Sequence, residues 1–192
     1  MQPFSVSDLT VCGLDELDGH SGRGVTHVLS ILDPDWPDPE AFLTYGPHFR
    51  AIFRFNDAIE PEPGVVLPQV SDVEEILAFA RGAGPDLRHL LIHCHAGVSR
   101  STAAMLMILA QAHPADSEEA MVGRLVRIRP QAWPNSRMIA FADGLLGRNG
   151  RLSAAVTQIY ARRLEEQPGL AETMRGLKRA REVELARLAS RS

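Results

Sequence analysis

Short apolar runs separated by turn-forming residues dominate the first half of the chain. They occupy residues 8–12, 26–32, 48–55 and 88–93. Runs of this length, bounded by glycine, aspartate and proline, are typical of β-strands, and the wholly apolar fourth run is typical of a buried parallel strand. A capping-box pattern at residues 71–74 predicts that a helix begins there. Its apolar positions, which share one helix face, are Val73, Ile76, Leu77 and Ala80.

Helical patterns fill the second half of the chain. Residues 101–111 are almost wholly apolar and predict a buried helix. A second helix is predicted from residue 116 to the Arg129-Pro130 step, because a residue before proline disfavours helical geometry. A third helix is predicted to follow Pro134-Asn135 and to end at about residue 146.

The C-terminal part differs in composition from the rest. Residues 151–192 are rich in arginine, glutamate, alanine and leucine, and predict two amphipathic helices separated at Pro168-Gly169. Strands that alternate with helices indicate an α/β fold with a central, mostly parallel sheet flanked by helices. We therefore expect one domain over residues 1–150 and a helical C-terminal extension, packed on that domain or projecting from it.

Composition and charge exclude several classes of protein. A chain of 192 residues that is 45% hydrophobic is expected to fold as one globular domain rather than stay disordered. Its net charge of −4 argues against general nucleic-acid binding. The longest aliphatic run, residues 103–110, is too short to span a membrane, and residues 1–10 lack the features of a secretory signal.

The cysteine and lysine contents bear on the cellular setting. Two cysteines, Cys12 and Cys94, make no disulfide framework, so we expect a reducing, cytoplasmic environment. The basic residues are almost all arginine, with Lys178 as the single lysine. We interpret that excess as coding bias in a GC-rich bacterial genome.

The most informative stretch is residues 93–102, His-Cys-His-Ala-Gly-Val-Ser-Arg-Ser-Thr. It starts at the carboxyl end of the predicted buried strand, where open α/β sheets bind their ligands. Gly97 and its small neighbours allow successive backbone N–H groups to surround an anion, and the next helix adds its positive end. Arg100 supplies a planar pair of donors that matches two phosphate oxygens.

Cys94 lies at the centre of this predicted anion site. A nearby arginine and a helix N-terminus favour the thiolate, so we expect Cys94 to be ionised at neutral pH. A thiolate in a phosphate cradle is a nucleophile for phosphoryl transfer. Ser101 is placed to donate a hydrogen bond to the sulfur and so to help the thiolate leave. The alternative is a buried, inert cysteine, which does not account for the glycine, arginine and hydroxyl around it.

The pattern His-Cys-(five residues)-Arg-Ser resembles the signature of the cysteine-dependent protein tyrosine phosphatases, and His-Cys-x-Ala-Gly-x-Ser-Arg-Ser resembles the dual-specificity branch in particular. The resemblance extends to Thr-His-Val-Leu at residues 26–29, to Asn56-Asp57 and to Pro134-Asn135, and covers about residues 5–148. It implies a phosphatase-like α/β fold. The phosphate-binding loop that it implies comprises His95, Ala96, Gly97, Val98, Ser99 and Arg100.

Expulsion of the leaving oxygen requires a general acid. The resemblance places it on a loop upstream of the nucleophile, and we assign it to Asp57, which lies 37 residues before Cys94 and directly after the third predicted strand. Glu60 and Glu62 share that loop and are the rival acids. The chain also contains the sequence Trp-Pro-Asp, in which many tyrosine phosphatases carry the acid. It ends at Asp38 and follows the second strand, so we interpret it as a coincidence in a proline-rich turn.

Other residues are assigned supporting roles. By the resemblance, His93 is expected to hydrogen-bond the backbone of the loop and to steady the thiolate, the alternative being a packed histidine at the strand end. His95 is expected to point outward. Asn135 either ties its helix to the phosphate loop or is a plain helix cap. Cys12 is expected to be a buried strand residue, the alternative being that it protects an oxidised nucleophile. The arginine-rich side of the C-terminal extension is interpreted as a solvated helix face, and the alternatives are that it docks a partner or packs back on the domain. Its arginines are Arg162, Arg163, Arg175, Arg179 and Arg181.

Together these residues predict phosphomonoester hydrolysis through a phosphocysteine, with no metal and no organic cofactor. Adjacent His93, Cys94 and His95 do not suit one zinc ion, because neighbouring strand residues point to opposite faces. A catalytically weak phosphate-binding scaffold is the main alternative, and a sulfurtransferase or an arsenate reductase is another. Residues 95–99 include no lysine or arginine, so we expect a phosphoprotein substrate, with phosphotyrosine first, rather than a phosphoinositide.

Overall fold

The computed structural model describes residues 8–190. Four strands lie in this range: β1 (Asp8–Cys12), β2 (His27–Leu32), β3 (Phe49–Arg54) and β4 (His89–His93). The α-helices are α1 (Val70–Gly82), α2 (Arg100–Ala112), α3 (Glu118–Ile128), α4 (Ser136–Leu145), α5 (Arg151–Glu166), α6 (Leu170–Gly176) and α7 (Ala180–Ala189).

The four strands form one sheet in the order β1-β4-β2-β3, and every pair of neighbours is parallel. The predicted α/β class is therefore confirmed. Strand β4 lies between β1 and β2, and both β2 and β4 are buried along their whole length. Because the strands are parallel, the residues that follow β2, β3 and β4 all emerge at the same edge of the sheet.

The two faces of the sheet are covered differently. Buried residues from all seven α-helices join one apolar core with alternate residues of the strands, such as Leu29, Leu90 and Ile92. The opposite face packs against short 3-10 helices at Leu14–His20 and Glu40–Thr44. No helix within residues 8–190 is long and apolar enough to cross a membrane.

The capping box predicted at residues 71–74 is wrong in its position. Helix α1 begins at Val70, and the Asp72 carboxylate accepts a hydrogen bond of 2.7 Å from the backbone N–H of Gln69. The carboxylate that lies three residues after the cap is thus Asp72, and Ser71 belongs to the first turn. The four apolar positions predicted for this helix are all buried.

The C-terminal extension contains three helices where the sequence predicted two. The break at Pro168-Gly169 is present, and a second break follows α6. At this second break Lys178 has a left-handed backbone with φ of 59°, which ends the helical path and turns the chain. Buried residues of α5, α6 and α7, among them Tyr160 and Val183, belong to the same apolar core as the sheet.

Candidate active site

Cys94 directly follows β4, at the centre of the carboxyl edge of the sheet. Its side chain is buried, and its Sγ lies 3.1 Å from Ser101 Oγ on the first turn of α2. The loop of residues 94–99 connects the strand to α2, which begins at Arg100. The strand and the buried helix therefore fix both ends of the loop that carries the thiol.

The carbonyl groups of residues 95–98 in this loop are held by donors from other parts of the chain. Arg129 donates to two of them, from Nε to Gly97 O at 2.9 Å and from Nη2 to Ala96 O at 3.1 Å. Backbone N–H groups of Leu14 and Trp133 bind the carbonyls of His95 and Val98, both at 2.9 Å. Within residues 8–190, none of the amides of residues 95–99 donates to a hydrogen-bond acceptor. The loop thus has the hydrogen-bonding pattern of an anion-binding nest.

Arg129 is itself fixed by a carboxylate. Its Nη1 lies 2.8 Å from Glu16 Oε1, and its Nη2 lies 2.7 Å from Oε2. Glu16 also accepts a 2.6 Å hydrogen bond from the N–H of Gly13, and these donors, Arg129 foremost, lower the pKa of Glu16. The two-pronged pair therefore stays charged and holds the guanidinium against the outer side of the loop.

Gly97 is required at its position for two reasons. Its φ of +66° is in the left-handed region, which residues with a side chain rarely adopt. A Cβ at this position would also lie only 2.6 Å from the carbonyl oxygen of Cys12 and from the N of Gly13. The loop consequently packs directly on the chain that leaves β1.

Arg100 is buried and bound along one side of its guanidinium. Its Nη1 donates to Asp33 Oδ1 and to the carbonyl of Phe55, both at 2.6 Å. Its Nε is buried and has no hydrogen-bond partner among residues 8–190. The edge formed by Nε and Nη2 is the one that binds two oxygens of a phosphate or carboxylate. The fixed Nη1 thus orients the other edge for an oxyanion.

Asp57 lies on the loop of residues 55–69 between β3 and α1, named the acid loop after the role predicted for Asp57. One carboxylate oxygen of Asp57 accepts all the hydrogen bonds that its side chain makes within residues 8–190. Oδ1 accepts hydrogen bonds from Ser99 Oγ at 2.7 Å, Asn135 Nδ2 at 2.9 Å and Arg179 Nη1 at 3.0 Å. No hydrogen bond to Oδ2 is formed within residues 8–190. Burial alone would raise the pKa of Asp57, but the charges of Arg179 and Arg100 outweigh it, and the pKa lies below its ordinary value.

Among the C-terminal arginines, Arg179 does not lie on a solvated face but packs back on the domain. Arg162, Arg175 and Arg181 are exposed and Arg163 is partly buried. The side chain of Arg179 is only 3% exposed and reaches the phosphate loop and the acid loop instead of solvent. The solvated helix face does not extend to Arg179, because this residue lies in the turn between α6 and α7.

The two histidines beside Cys94 occupy different environments. His93 is fully buried, and its Nε2 lies 2.7 Å from Ser30 Oγ. Burial, together with the charge of Arg50, lowers its pKa to about 3, so the ring is neutral. His95 lies at the rim, where its Nε2 accepts a hydrogen bond from the N–H of Asp33 and its ring packs 4.4 Å from the ring of Trp36.

Asn135 combines the two roles that the sequence left open. Its Oδ1 caps α4 by accepting from the N–H groups of Arg137 and Met138 at 3.1 and 3.2 Å. Its backbone N–H donates to the carbonyl of Ser99 at 3.4 Å, and its Nδ2 binds Asp57. One side chain therefore links α4, the phosphate loop and the acid loop.

Cys12 and Cys94 lie on opposite faces of the sheet. Cys12 packs with Val28 and Leu91, whereas Cys94 belongs to the cluster that contains Leu90 and Ile92. Burial raises the pKa of Cys12 to about 12, so it is a protonated thiol at neutral pH. This arrangement does not support a protective role for Cys12.

The carboxylates that were weighed against Asp57 have other partners or lie at the surface. Asp38 pairs with Arg54 beside β3. Glu62 pairs with Lys178, and Glu60 is exposed on the acid loop.

Besides Arg179, sequence reasoning missed three residues that contact the loop, Arg100 or Arg129. Asp33 is the first residue after β2, and its place at the carboxyl edge of the sheet was an available signal. Glu16 and Arg129 are 113 residues apart, and no local pattern connects them.

A cleft of about 290 Å³ opens between the acid loop, Arg100 and the turn between α6 and α7. Its walls include the carboxylates of Asp33, Asp57, Glu60 and Glu62, the cations of Arg100 and Lys178, and Leu177. Four carboxylates against two cations give the cleft an acidic balance. Residues 8–190 contain no group of three or more metal-ligating side chains placed to hold one ion.

Comparison with solved structures identifies this fold. Human DUSP28 superposes with a TM-score of 0.56 at 16% identity, covering 77% of this chain and 99% of that one. Tk-PTP in its active form gives 0.54 at 20% identity over 73% and 92% of the two chains. PTPMT1 in complex with PI(5)P gives 0.53 at 13% identity over 77% and 94%. No protein-family model and no curated protein sequence matches this chain. The likeness shows that the chain has the fold of these phosphatases.

The packing of the loop predicts the effect of enlarging Gly97. Gly97→Ala should abolish anion binding or destabilise the fold, because the added Cβ meets the backbone of Cys12 and Gly13 and opposes the left-handed φ. Gly144→Ala is the matched control, since Gly144 is on α4 with nothing within 4 Å of its Cβ position. Thermal unfolding and vanadate binding measure both effects. An alanine at position 97 that leaves both unchanged would contradict the packing described.

Proposed function

We propose that this protein is a cysteine-dependent phosphomonoester hydrolase, a protein tyrosine or dual-specificity phosphatase that acts through a phosphocysteine. The observation that carries the proposal is the loop of residues 94–99. A buried thiol there faces amides without acceptors and an arginine with an unpartnered, buried Nε. The fold shared with known phosphatases supports it.

The first step transfers the phosphoryl group to Cys94. Its Sγ attacks phosphorus in line, so that an S–P bond forms while the bond from phosphorus to the ester oxygen breaks. The loop amides and the Nε–Nη2 edge of Arg100 hold the other oxygens, which positions the group and stabilises its charge. Asp57 gives its proton to the departing oxygen.

The second step restores the enzyme. Asp57, now a carboxylate, takes a proton from a water molecule whose oxygen attacks phosphorus. The S–P bond breaks, inorganic phosphate forms and Cys94 leaves as a thiolate. The Ser101 hydroxyl, 3.1 Å from the sulfur, stabilises that thiolate by donating a hydrogen bond.

We propose a phosphotyrosine-bearing protein as the substrate. The acidic cleft disfavours a ligand with several phosphates, and its Lys178 is already paired with Glu62. Trp36, 45% exposed and packed on His95, offers an aromatic surface beside the loop that suits an aryl phosphate. PTPMT1 was solved with PI(5)P, so phosphoinositides are the substrates to compare.

The alternative is a catalytically weak phosphate-binding scaffold. One observation favours it, namely that Arg179 and Arg100 hold the pKa of Asp57 below its ordinary value and so oppose its role as an acid. Binding of a phosphate dianion next to Asp57 counters this effect, because a nearby negative charge raises the pKa of a carboxyl group. Protonation of Asp57 would then accompany substrate binding.

We further place the protein in the cytoplasm of a bacterium. The arginine-rich, nearly lysine-free composition supports a GC-rich genome. Two free cysteines on opposite faces of the sheet support a reducing compartment.

Hydrolysis of p-nitrophenyl phosphate tests the proposed chemistry. The reduced wild-type protein should turn over this substrate in the presence of a chelator, and Cys94→Ser should lose activity to background, because a serine hydroxyl is a far weaker nucleophile at neutral pH. Cys12→Ser is the matched control and should retain activity. Turnover that survives in Cys94→Ser would overturn the proposal, and a folded wild type without turnover would favour the scaffold.

The acid assignment predicts a contrast between two aspartates. With a phosphotyrosine peptide, Asp57→Asn should lower kcat by about 10²-fold or more, because the leaving oxygen loses its proton donor. Asp38→Asn should leave kcat within about twofold, because Asp38 is an exposed partner of Arg54 and Arg50. Steady-state rates measured between pH 4 and 8 give the comparison. A large loss in Asp38→Asn with none in Asp57→Asn would reverse the assignment.

A further inference from the structure

The turn between α6 and α7 brings an arginine into the proposed active site from outside the stretch that resembles a phosphatase. Arg179 Nη1 lies 3.0 Å from Asp57 Oδ1 and 3.1 Å from Ser99 Oγ. It thereby contacts both the acid loop and the last residue of the phosphate loop. The left-handed Lys178 and a 2.8 Å hydrogen bond from the N–H of Arg179 to Met174 O set the direction of this side chain.

A buried carboxylate fixes the other side of the guanidinium. Arg179 Nη2 donates to Glu182 Oε1 at 2.7 Å, and Glu182 is fully buried. Glu182 also accepts from Trp133 Nε1 at 2.6 Å and from the N–H of Ser136 at 2.9 Å. Both oxygens of Glu182 thus accept hydrogen bonds, and a buried ion pair held by further hydrogen bonds is a rigid element. Arg179 is therefore held in place independently of Asp57.

The two carboxylate oxygens of Asp57 differ in their hydrogen bonds. Arg179, Ser99 and Asn135 all donate to Oδ1, and within residues 8–190 none donates to Oδ2. Three donors on one oxygen leave Oδ2 as the atom that carries the transferable proton. They also fix the plane of the carboxyl group, and orientation of this kind contributes strongly to rate.

We propose that Arg179 is a positioning residue of this active site, which holds the Asp57 carboxyl group by Oδ1 so that Oδ2 faces the leaving oxygen. The proposal rests on the proposed phosphatase function. It assigns the C-terminal extension a part in catalysis, because the turn between α6 and α7 carries a cation that orients the acid. The buried contact of Arg179 with both Asp57 and Glu182 distinguishes it from the exposed arginines of the same segment.

The charges around Asp57 set the direction of the pH effect. The groups that face it are Arg179 and Arg100, the hydrogen-bond donors Ser99 and Asn135, and at longer range His95 and Tyr160. Glu182, Asp33, Glu60, Glu62 and Lys178 lie around the same site. Arg179 is the larger of the two positive influences on the pKa of Asp57. Its removal therefore raises that pKa and moves the loss of general-acid activity to higher pH.

Kinetics of two variants at Arg179 test the proposal, with a phosphotyrosine peptide as substrate. Arg179→Met should lower the plateau of kcat at acidic pH by about tenfold, with little change in KM. It should also move the alkaline limb of the pH profile of kcat to higher pH by about one unit. Arg179→Lys retains the charge and should keep the limb where it is, with an intermediate kcat. Arg181→Met, an exposed neighbour on α7, is the matched control and should behave as wild type.

A double variant separates positioning from a general structural role. In an Asp57→Asn background, Arg179→Met should cause no further loss of kcat, because Arg179 acts through Asp57. Losses that multiply would overturn the proposal, as would an Arg179→Met protein with the wild-type limb and plateau. Arg179→Lys, which preserves the buried pair with Glu182, serves the same test if the methionine variant does not fold.

A titration without turnover distinguishes failure of this inference from failure of the proposed function. Carbon-13 NMR of the Asp57 carboxyl group in the Cys94→Ser protein should give a titration midpoint that rises on Arg179→Met and not on Arg181→Met. An unchanged midpoint would overturn the role of Arg179. A wild-type protein without phosphatase activity would refute the proposed function alone, since the midpoint still reports the coupling of the two side chains.

Discussion

The hydrogen bonds that hold the carbonyl groups of residues 95–98 away from Cys94 are the constraint on which the rest of this site depends. Arg129, Leu14 and Trp133 supply them from three separate parts of the chain. Because each peptide unit is planar, a carbonyl fixed on the outer side directs the neighbouring N–H to the inner side. Gly97 also packs closely on the chain that leaves β1, and a side chain at this position would push the loop out of this geometry. Anion binding next to the thiol is therefore a property of the fold as a whole.

Buried ion pairs hold the two arginines of the site, Arg100 and Arg179, in place. Arg100 is neutralised by Asp33, and Arg179 by Asp57 and Glu182. A buried charge that lost its partner would be strongly destabilising, so these pairs keep each side chain in one geometry. Each of these two arginines also has a buried Nε without a partner in residues 8–190. The loop that follows β3, the loop that carries Cys94 and the C-terminal extension are consequently linked through Asp57.

The elements that could be predicted from the sequence are those that depend on a local pattern of residues. The four strands, the buried helix after Cys94 and the break at Pro168-Gly169 follow from apolar runs and breaker residues, and the structure contains them. The loop was found because its residues are contiguous. The roles of Arg179 and Arg129 were not predicted, because their contacts join positions that are distant in sequence. The periodicity of a segment predicts which residues lie at the surface, but it does not show that a distant carboxylate binds one of them. The start of α1 was misplaced for a local reason, since Asp72 and Glu74 both suit a capping carboxylate.

The most direct test of the account is to trap the intermediate. The Asp57→Asn protein, mixed with p-nitrophenyl phosphate and quenched with acid, is digested and its phosphorylated residue located by mass spectrometry. The p-nitrophenolate group leaves without a proton donor, so the first step proceeds, whereas the second step lacks its proposed base Asp57 and the intermediate should accumulate. The account predicts a single phosphoryl group on the sulfur of Cys94, absent from a Cys94→Ser sample treated in the same way. Turnover with no phosphoryl group on Cys94, or with the group on another residue, would contradict it.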